Sequence, residues 1–161
     1  MPICNNMKQY LYLFLLFCTI SVNGQNHYCI QHGHNVSVTI LDSLNSQKST
    51  SSPTAIMAGD VYDDSGTIIL IRKGTPVLMQ MQCRRASLTG GVGKIILTPI
   101  STQAVNGREI TFSAEPIEFE GNDNAFFRSQ KDVTIVAGTS FIATIANNYC
   151  FNMQPQATNG I

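Results

Sequence analysis

Charge is scarce in this chain and has no preferred sign. Asp, Glu, Lys and Arg make up 12% of the 161 residues, and 10 basic residues stand against 10 acidic ones. A chain with no net field exerts no long-range pull on nucleic acid or on an anionic membrane, so neither is expected as a partner. Histidine is confined to His27, His32 and His34, so any imidazole acid–base chemistry has to come from that one short stretch. Long apolar runs are also missing. The longest, from Leu11 to Ile20, falls short of the roughly 20 residues that a membrane-spanning helix needs.

That run has a different reading. Lys8 precedes it, and Val22-Asn23-Gly24 comes after it and ends on a small residue, which is the layout of an export signal cleaved after Gly24. Residues 1–24 are therefore expected to be a signal peptide, the product to reach the periplasm or cell surface, and no integral membrane segment to remain. Cleavage removes Lys8 alone among the ionisable residues, leaving 9 basic against 10 acidic. It also removes Cys4 and Cys18 and leaves Cys29, Cys83 and Cys150. An odd count implies one free thiol or an intermolecular bridge. Cys29 and Cys150 lie near opposite ends of the exported chain, where a bridge would close a long loop; Cys83 shares an alternating face with Val77, Met79 and Met81 and reads as a buried, inert thiol.

Abundant Thr, Ser, Asn, Gly and β-branched residues point to an all-β domain. Residues 25–34 read as an N-terminal arm holding His and Cys. Val36, Val38 and Ile40 alternate with Ser37 and Thr39, which predicts a strand from about Asn35 to Leu41. Residues 42–54 read as a Ser-rich surface linker. The chain is organised around the stretch from Ile56 to Arg85: a strand over Ile56 to Tyr62, a turn at Asp63-Asp64-Ser65-Gly66, a buried strand at Thr67 to Ile71, a turn at Arg72-Lys73-Gly74-Thr75, and an alternating strand from Pro76 to Arg85. Three glycines, Gly90, Gly91 and Gly93, precede Lys94. They fail the phosphate-loop pattern at Leu88 and Ile95 and read as a flexible hairpin loop.

The strand at Lys94 to Ser101 contains Pro99, which implies an edge or a bulge. Asn106-Gly107 predicts a type I′ turn into Arg108 to Phe112. Ile117 and Phe119 alternate with Glu118 and Glu120, which read as a solvated edge. Val133 to Val136 and Phe141 to Ala146 read as a closing strand pair, and residues 147–161 as a polar tail. Gly74-Thr75 and Gly138-Thr139 echo one another, each a tight corner between two strands. The whole, a β domain over residues 35–146, fits a single compact β-barrel or two-sheet β-sandwich of about eight short strands.

Asp60-Val61-Tyr62-Asp63-Asp64-Ser65-Gly66 followed by Ile69-Leu70-Ile71-Arg72-Lys73-Gly74-Thr75-Pro76-Val77 resembles a signature of the C-terminal β-barrel domain of type IV secretion (conjugation) channel scaffold proteins. The Gly-rich loop at Gly90 to Gly93, the strand at Ile95 to Ile100 and the turn at Asn106-Gly107 extend the likeness over about Ile56 to Phe112. The sequence also looks like small secreted β-barrel proteins of Bacteroidetes-type bacteria. What the resemblance implies is an envelope β-barrel module, and it would allow a part in a secretion or conjugation apparatus.

Several residues invite chemistry. Cleavage after Gly24 would present Gln25-Asn26-His27, whose amine, amides and imidazole suit a square-planar Cu(II) or Ni(II) site; His32 and His34 are the further candidate ligands. Cys83 with an arm histidine is the thinnest of catalytic pairs, and no enzyme activity and no cofactor are expected. Adjacent Phe126 and Phe127 must point to opposite faces of a strand, so one of them is a candidate partner contact. Asp42-Ser43-Leu44 has the form of a bacterial O-glycosylation site, which makes Ser43 the candidate acceptor. The expected function is thus non-enzymatic: a structural or protein-interaction component of the cell envelope, binding an envelope protein through strand edges or an exposed aromatic, with a secreted domain for a small ligand, glycan or metal as the alternative.

Overall fold

A computed structural model of the chain describes residues 27–48, 51–87, 91–121 and 131–152. The described residues form thirteen strands: β1 (His27–Ile30), β2 (Asn35–Ile40), β3 (Leu44–Asn45), β4 (Ala55–Met57), β5 (Val61–Tyr62), β6 (Ile69–Ile71), β7 (Pro76–Arg84), β8 (Lys94–Gln103), β9 (Glu109–Thr111), β10 (Ile117–Glu120), β11 (Thr134–Ile135), β12 (Ser140–Thr144) and β13 (Tyr149–Asn152). The protein is all-β, as its composition requires. No helix among the described residues is long and apolar enough to cross a membrane.

The main sheet runs β10-β8-β7-β4-β2-β12, with β9 also paired to β8, beyond β10 along the same strand. It curls until its ends touch. Phe112, just past β9, bridges Ile145, just past β12, and the contact is secured by Ser113 N–H to the Thr144 carbonyl (2.7 Å) and Ala146 N–H to the Thr111 carbonyl (3.0 Å). Alternation puts Val36, Val38, Ile40, Ala55, Met57, Val77, Met79, Ile95, Leu97, Ile110 and Ala143 inside, all nearly inaccessible to solvent. Each large aliphatic buried this way contributes about 1.5–3 kcal/mol before the entropy of ordering it is subtracted.

Pro99 sits inside β8, where it lies between the last residue registered to β10, Leu97, and the first registered to β9, Ser101. The β7–β8 register also shifts there, Leu78 facing Ser101 and Met79 facing Pro99. A strand can accept a residue with no N–H at such a bulge. β8 is therefore interior despite its proline.

The Gly-Thr echo extends well beyond two dipeptides. Gly74 N–H donates to the Met57 carbonyl and Met57 N–H to the Thr75 carbonyl, both at 2.9 Å; Gly138 N–H donates to the Ile40 carbonyl at 2.7 Å and Ile40 N–H to the Thr139 carbonyl at 2.9 Å. Thr75 Oγ1 donates to the Arg72 carbonyl as Thr139 Oγ1 does to the Val136 carbonyl. Lys73 N–H is capped by Asp60 Oδ1, Ala137 N–H by Ser43 Oγ. Val61 pairs with Ile71 as Leu44 pairs with Ile135. Both glycines have positive φ, +82° and +90°, a conformation that a Cβ makes costly. The segment β4–β5 with β6–β7 is thus matched by β2–β3 with β11–β12, about a local pseudo-dyad between the antiparallel neighbours β2 and β4.

Several expectations need correction. The strand over Ile56 to Tyr62 is two strands, β4 and β5, because the chain bends at Ala58-Gly59. Residues 42–54 do not simply cross the surface: they contain β3, with Leu44 and Ser46 buried at 4% and 2% exposure. The pair expected at 133–146 does not form, since β11 pairs with β3 and β12 with β2.

The Asn106-Gly107 turn is not type I′. Only glycines have positive φ among the described residues, so Asn106 keeps a negative one; Gly107 N–H donates to the Ala104 carbonyl and Ala104 N–H to the Arg108 carbonyl, a type I turn closed by a glycine bulge.

The glycine loop does join the antiparallel neighbours β7 and β8, but Gly93 within it is closely packed. A Cβ there would lie 2.5 Å from Ser46 Oγ and 2.9 Å from the Asp132 backbone. Finally, the described residues of the arm and the tail enter the fold: β1 and β13 form a two-stranded sheet, and Ile30 and Phe151 on them are buried.

Candidate interaction surface

The outer face of β7, β4, β2 and β12 results from the same alternation that fills the core. Ser140, Thr39, Ile56 and Pro76 form one row across the four strands. Around them lie Ser37, Leu41, Thr54, Ala58, Leu78, Gln80, Ile142 and Thr144, and none of these twelve residues is ionisable. Three are large aliphatics held in solvent, Leu41, Leu78 and Ile142, at 46%, 60% and 59% exposure. Leu78 and Ile142 occupy matching places in the two pseudo-equivalent units. An uncharged patch with several exposed aliphatics is the kind of surface that proteins use to meet other proteins.

Beside this face, at the β7–β8 bulge, an open groove of about 530 Å³ is lined by Pro76, Leu78, Ser101, Thr102, Gln103 and Glu109, among others. Thr102 Oγ1 is committed to the Pro76 carbonyl at 2.8 Å, which leaves Gln103 and Glu109 as its outward polar groups, both exposed.

The two edges of the main sheet differ. β10 is guarded by charge. Glu118 and Glu120 both reach Lys94 Nζ, at 2.5 and 3.2 Å, and their hydrogen bonds raise the pKa of the lysine. Both glutamates are exposed, as a solvated edge requires, and they are ion-paired as well. β12 carries no ionisable side chain.

The disulfide and one buried carboxylate brace the scaffold. Cys29 and Cys150 are bonded, joining β1 to β13. Arg108 lies over the rings of Tyr149 and Phe151, 5.3 and 5.7 Å from their centroids, and donates to the Cys150 carbonyl at 3.1 Å. Tyr149 Oη accepts the Thr111 N–H at 2.8 Å, so β13 is pinned to β9 as well.

Asp63 organises the β5–β6 turn. Burial alone would raise its pKa, but donation from the Ile68 amide, the Ser65 hydroxyl and the Thr67 and Ser65 amides outweighs it and holds the carboxyl at about 2. It is a structural acceptor with both carboxylate oxygens engaged, which explains why Asp stands at that position.

The remaining sequence candidates fall as follows. His27, His32 and His34 are all exposed, and among the described residues no three His, Cys, Asp or Glu side chains gather as a metal site. The arm is not loose: Gly33 N–H donates to the Ile145 carbonyl and Ile145 N–H to the His34 carbonyl, both at 2.9 Å, while the Cys29 sulfur is consumed by its bridge. Gln25 and Asn26, the rest of the proposed copper or nickel site, lie outside the described residues, as do Phe126 and Phe127.

Ser43 is exposed but engaged, accepting the Ala137 N–H at 3.3 Å. Cys83 is exposed rather than buried, because the inward face of β7 leaves the core after Met79. Desolvation still raises its pKa, the opposite of what a nucleophilic thiolate needs.

Sequence reasoning missed Leu78 and Ile142 as contacts. Leu78 was visible in the alternation of β7, on the face opposite Val77 and Met79. Ile142 was hidden, since Phe141 and Ala143 gave no contrast. No family model matches the chain, and no curated protein does either.

Proposed function

We propose that the protein is an exported β module that works by binding, as a structural or interaction component of the cell envelope at the periplasm or cell surface. The observation that carries this is the outer face of β7-β4-β2-β12, which keeps Leu41, Leu78 and Ile142 in solvent among nine further residues that carry no charge, the nearest ionisable side chain on that face of β7 being Arg84 at the strand's far end. The Cys29–Cys150 bridge supports the compartment, because such bonds persist where the surroundings are oxidising. Part in a secretion or conjugation apparatus is consistent with the likeness of Asp60 to Val77 to the barrels of channel scaffolds. Native electrophoresis of detergent-extracted envelopes tests the reading: the chain is expected in an assembly much larger than the exported chain alone. Migration as a folded, free monomer refutes it.

The groove at the β7–β8 bulge favours a second reading, a site for a small ligand or glycan. Its exposed Gln103 and Glu109 beside Pro76 and Leu78 combine polar and apolar contacts in the way such sites do. Glycan-array binding that is lost in Glu109→Ala would support it.

A further inference from the structure

We propose that the outer edge of β12, from Ser140 to Ile142, receives an extended segment of the partner protein, which adds to the main sheet as its next antiparallel strand. This rests on the interaction reading above and names the place and the mode of contact.

The pseudo-dyad points to this edge first. β7 and β12 are equivalent strands, each following a Gly-Thr corner and each paired on its inner side with an equivalent partner, β4 or β2. The outer side of β7 is covered by the antiparallel strand β8, with Leu78 facing Ser101. Nothing among the described residues plays that part beside Ser140 and Ile142. The fold itself displays what covers this kind of edge.

Pairing on that edge has, moreover, already begun, since Ser113 N–H donates to the Thr144 carbonyl and Phe112 bridges Ile145. Continued in register, the chain would bring Glu115 opposite Ile142. Instead Glu115 N–H turns back to the Ser113 carbonyl at 2.8 Å, Pro116 has no N–H to offer, and the chain leaves to form β10 against β8. Alternation from Thr144, whose carbonyl faces this edge, shows that the N–H and C=O groups of Ser140 and Ile142 face it too. These four groups extend an existing ladder.

The edge is also unprotected. Edges that must stay unpaired carry charge or proline, and β10 has Glu118, Glu120 and a preceding Pro116. β12 has Ser140, Phe141, Ile142, Ala143 and Thr144, with Ile142 open to solvent. The incoming segment is therefore an extended strand of alternating pattern that sets uncharged side chains beside Ile142, because the face it joins holds no ion pair for a charge.

The test places a photocrosslinking p-benzoylphenylalanine at position 140 of the full chain in its native envelope, with position 118 on the β10 edge as the control. The expected result is a crosslink from position 140, and not from 118, to one extended segment of another protein. Ile142→Pro removes an outward N–H while leaving the β2 ladder intact, and should cut the yield at least ~10-fold at an unchanged melting temperature. If that variant does not fold, Ile142→Lys keeps the backbone groups and sets a charge at the edge, with the same loss expected.

Capture of a partner with a yield within twofold of the parent in the folded variant overturns the edge proposal and leaves the interaction reading standing. A crosslink to a second copy of this chain also overturns it. No partner from any position, in a folded preparation, removes the interaction reading and the edge proposal with it.

Discussion

Removing the Cys29–Cys150 bridge with the double substitution Cys29→Ser and Cys150→Ser should cost this domain a large part of its stability. The bridge spans 121 residues of sequence, and closing a loop of that length in the unfolded chain removes roughly 16 cal/mol/K of entropy, or about 5 kcal/mol at 25 °C. Residual structure in the unfolded chain lowers the yield, so a loss of about 3–5 kcal/mol is expected. The folded state loses less. Ile30, Tyr149 and Phe151 are buried, and Tyr149 is still tied to Thr111, so β13 keeps its place until the domain unfolds. Urea titration of the oxidised parent and the double variant is the assay, with the midpoint falling and the slope rising slightly as a less constrained chain exposes more surface. For a domain of this size the melting temperature should fall by roughly 10–20 °C. A difference under ~1 kcal/mol would refute the loop-entropy reasoning.

Three further outcomes are expected from single sites. Asp63→Asn should cost about 2 kcal/mol at neutral pH: the folded carboxyl lies at about 2, below its unfolded value of about 3.9, so its contribution is present above pH ~4 and is lost as pH falls through ~2, where urea midpoints of parent and variant should converge. Gly93→Ala should lose about 1–3 kcal/mol by collision with Ser46 and Asp132, whereas Gly91→Ala, whose Cβ would meet Ser87 Cβ at an ordinary 3.6 Å, should melt close to the parent. Gly74→Ala and Gly138→Ala should each cost about 1–2 kcal/mol and by nearly equal amounts, since nothing lies within 4 Å of either added Cβ; thermal melts that differ widely between them would contradict the equivalence of the two corners.

Where the sequence was legible, local chemistry and tertiary position agreed. Val36, Val38 and Ile40 alternate and are buried; Gly66, Gly74 and Gly138 stand where the backbone needs a positive φ. Where it was not, long-range pairing decided. Leu44-Asn45 becomes a strand only because Thr134-Ile135 lies beside it, and no periodicity in a Ser-rich stretch can announce that. Phe151 reads as part of a tail until the disulfide and the β1 pairing bury it. Cys83 keeps the period of β7, but the strand outruns the core, and a period says which face a residue takes without saying how far the cover extends. The candidate surface was partly visible: the lack of charge was plain, and strand edges were a natural expectation, but which edge is left without a neighbouring strand among the described residues depends on Glu115 and Pro116 turning the chain away from β12.

On this account the chain works by holding another envelope protein. Chemical crosslinking and affinity capture of the exported form from its native envelope, with the captured proteins identified and counted by mass spectrometry, tests that most directly. Recovery of one envelope protein in stoichiometric amount is the expected result. Recovery of none, from a preparation that remains folded and monomeric, would contradict it.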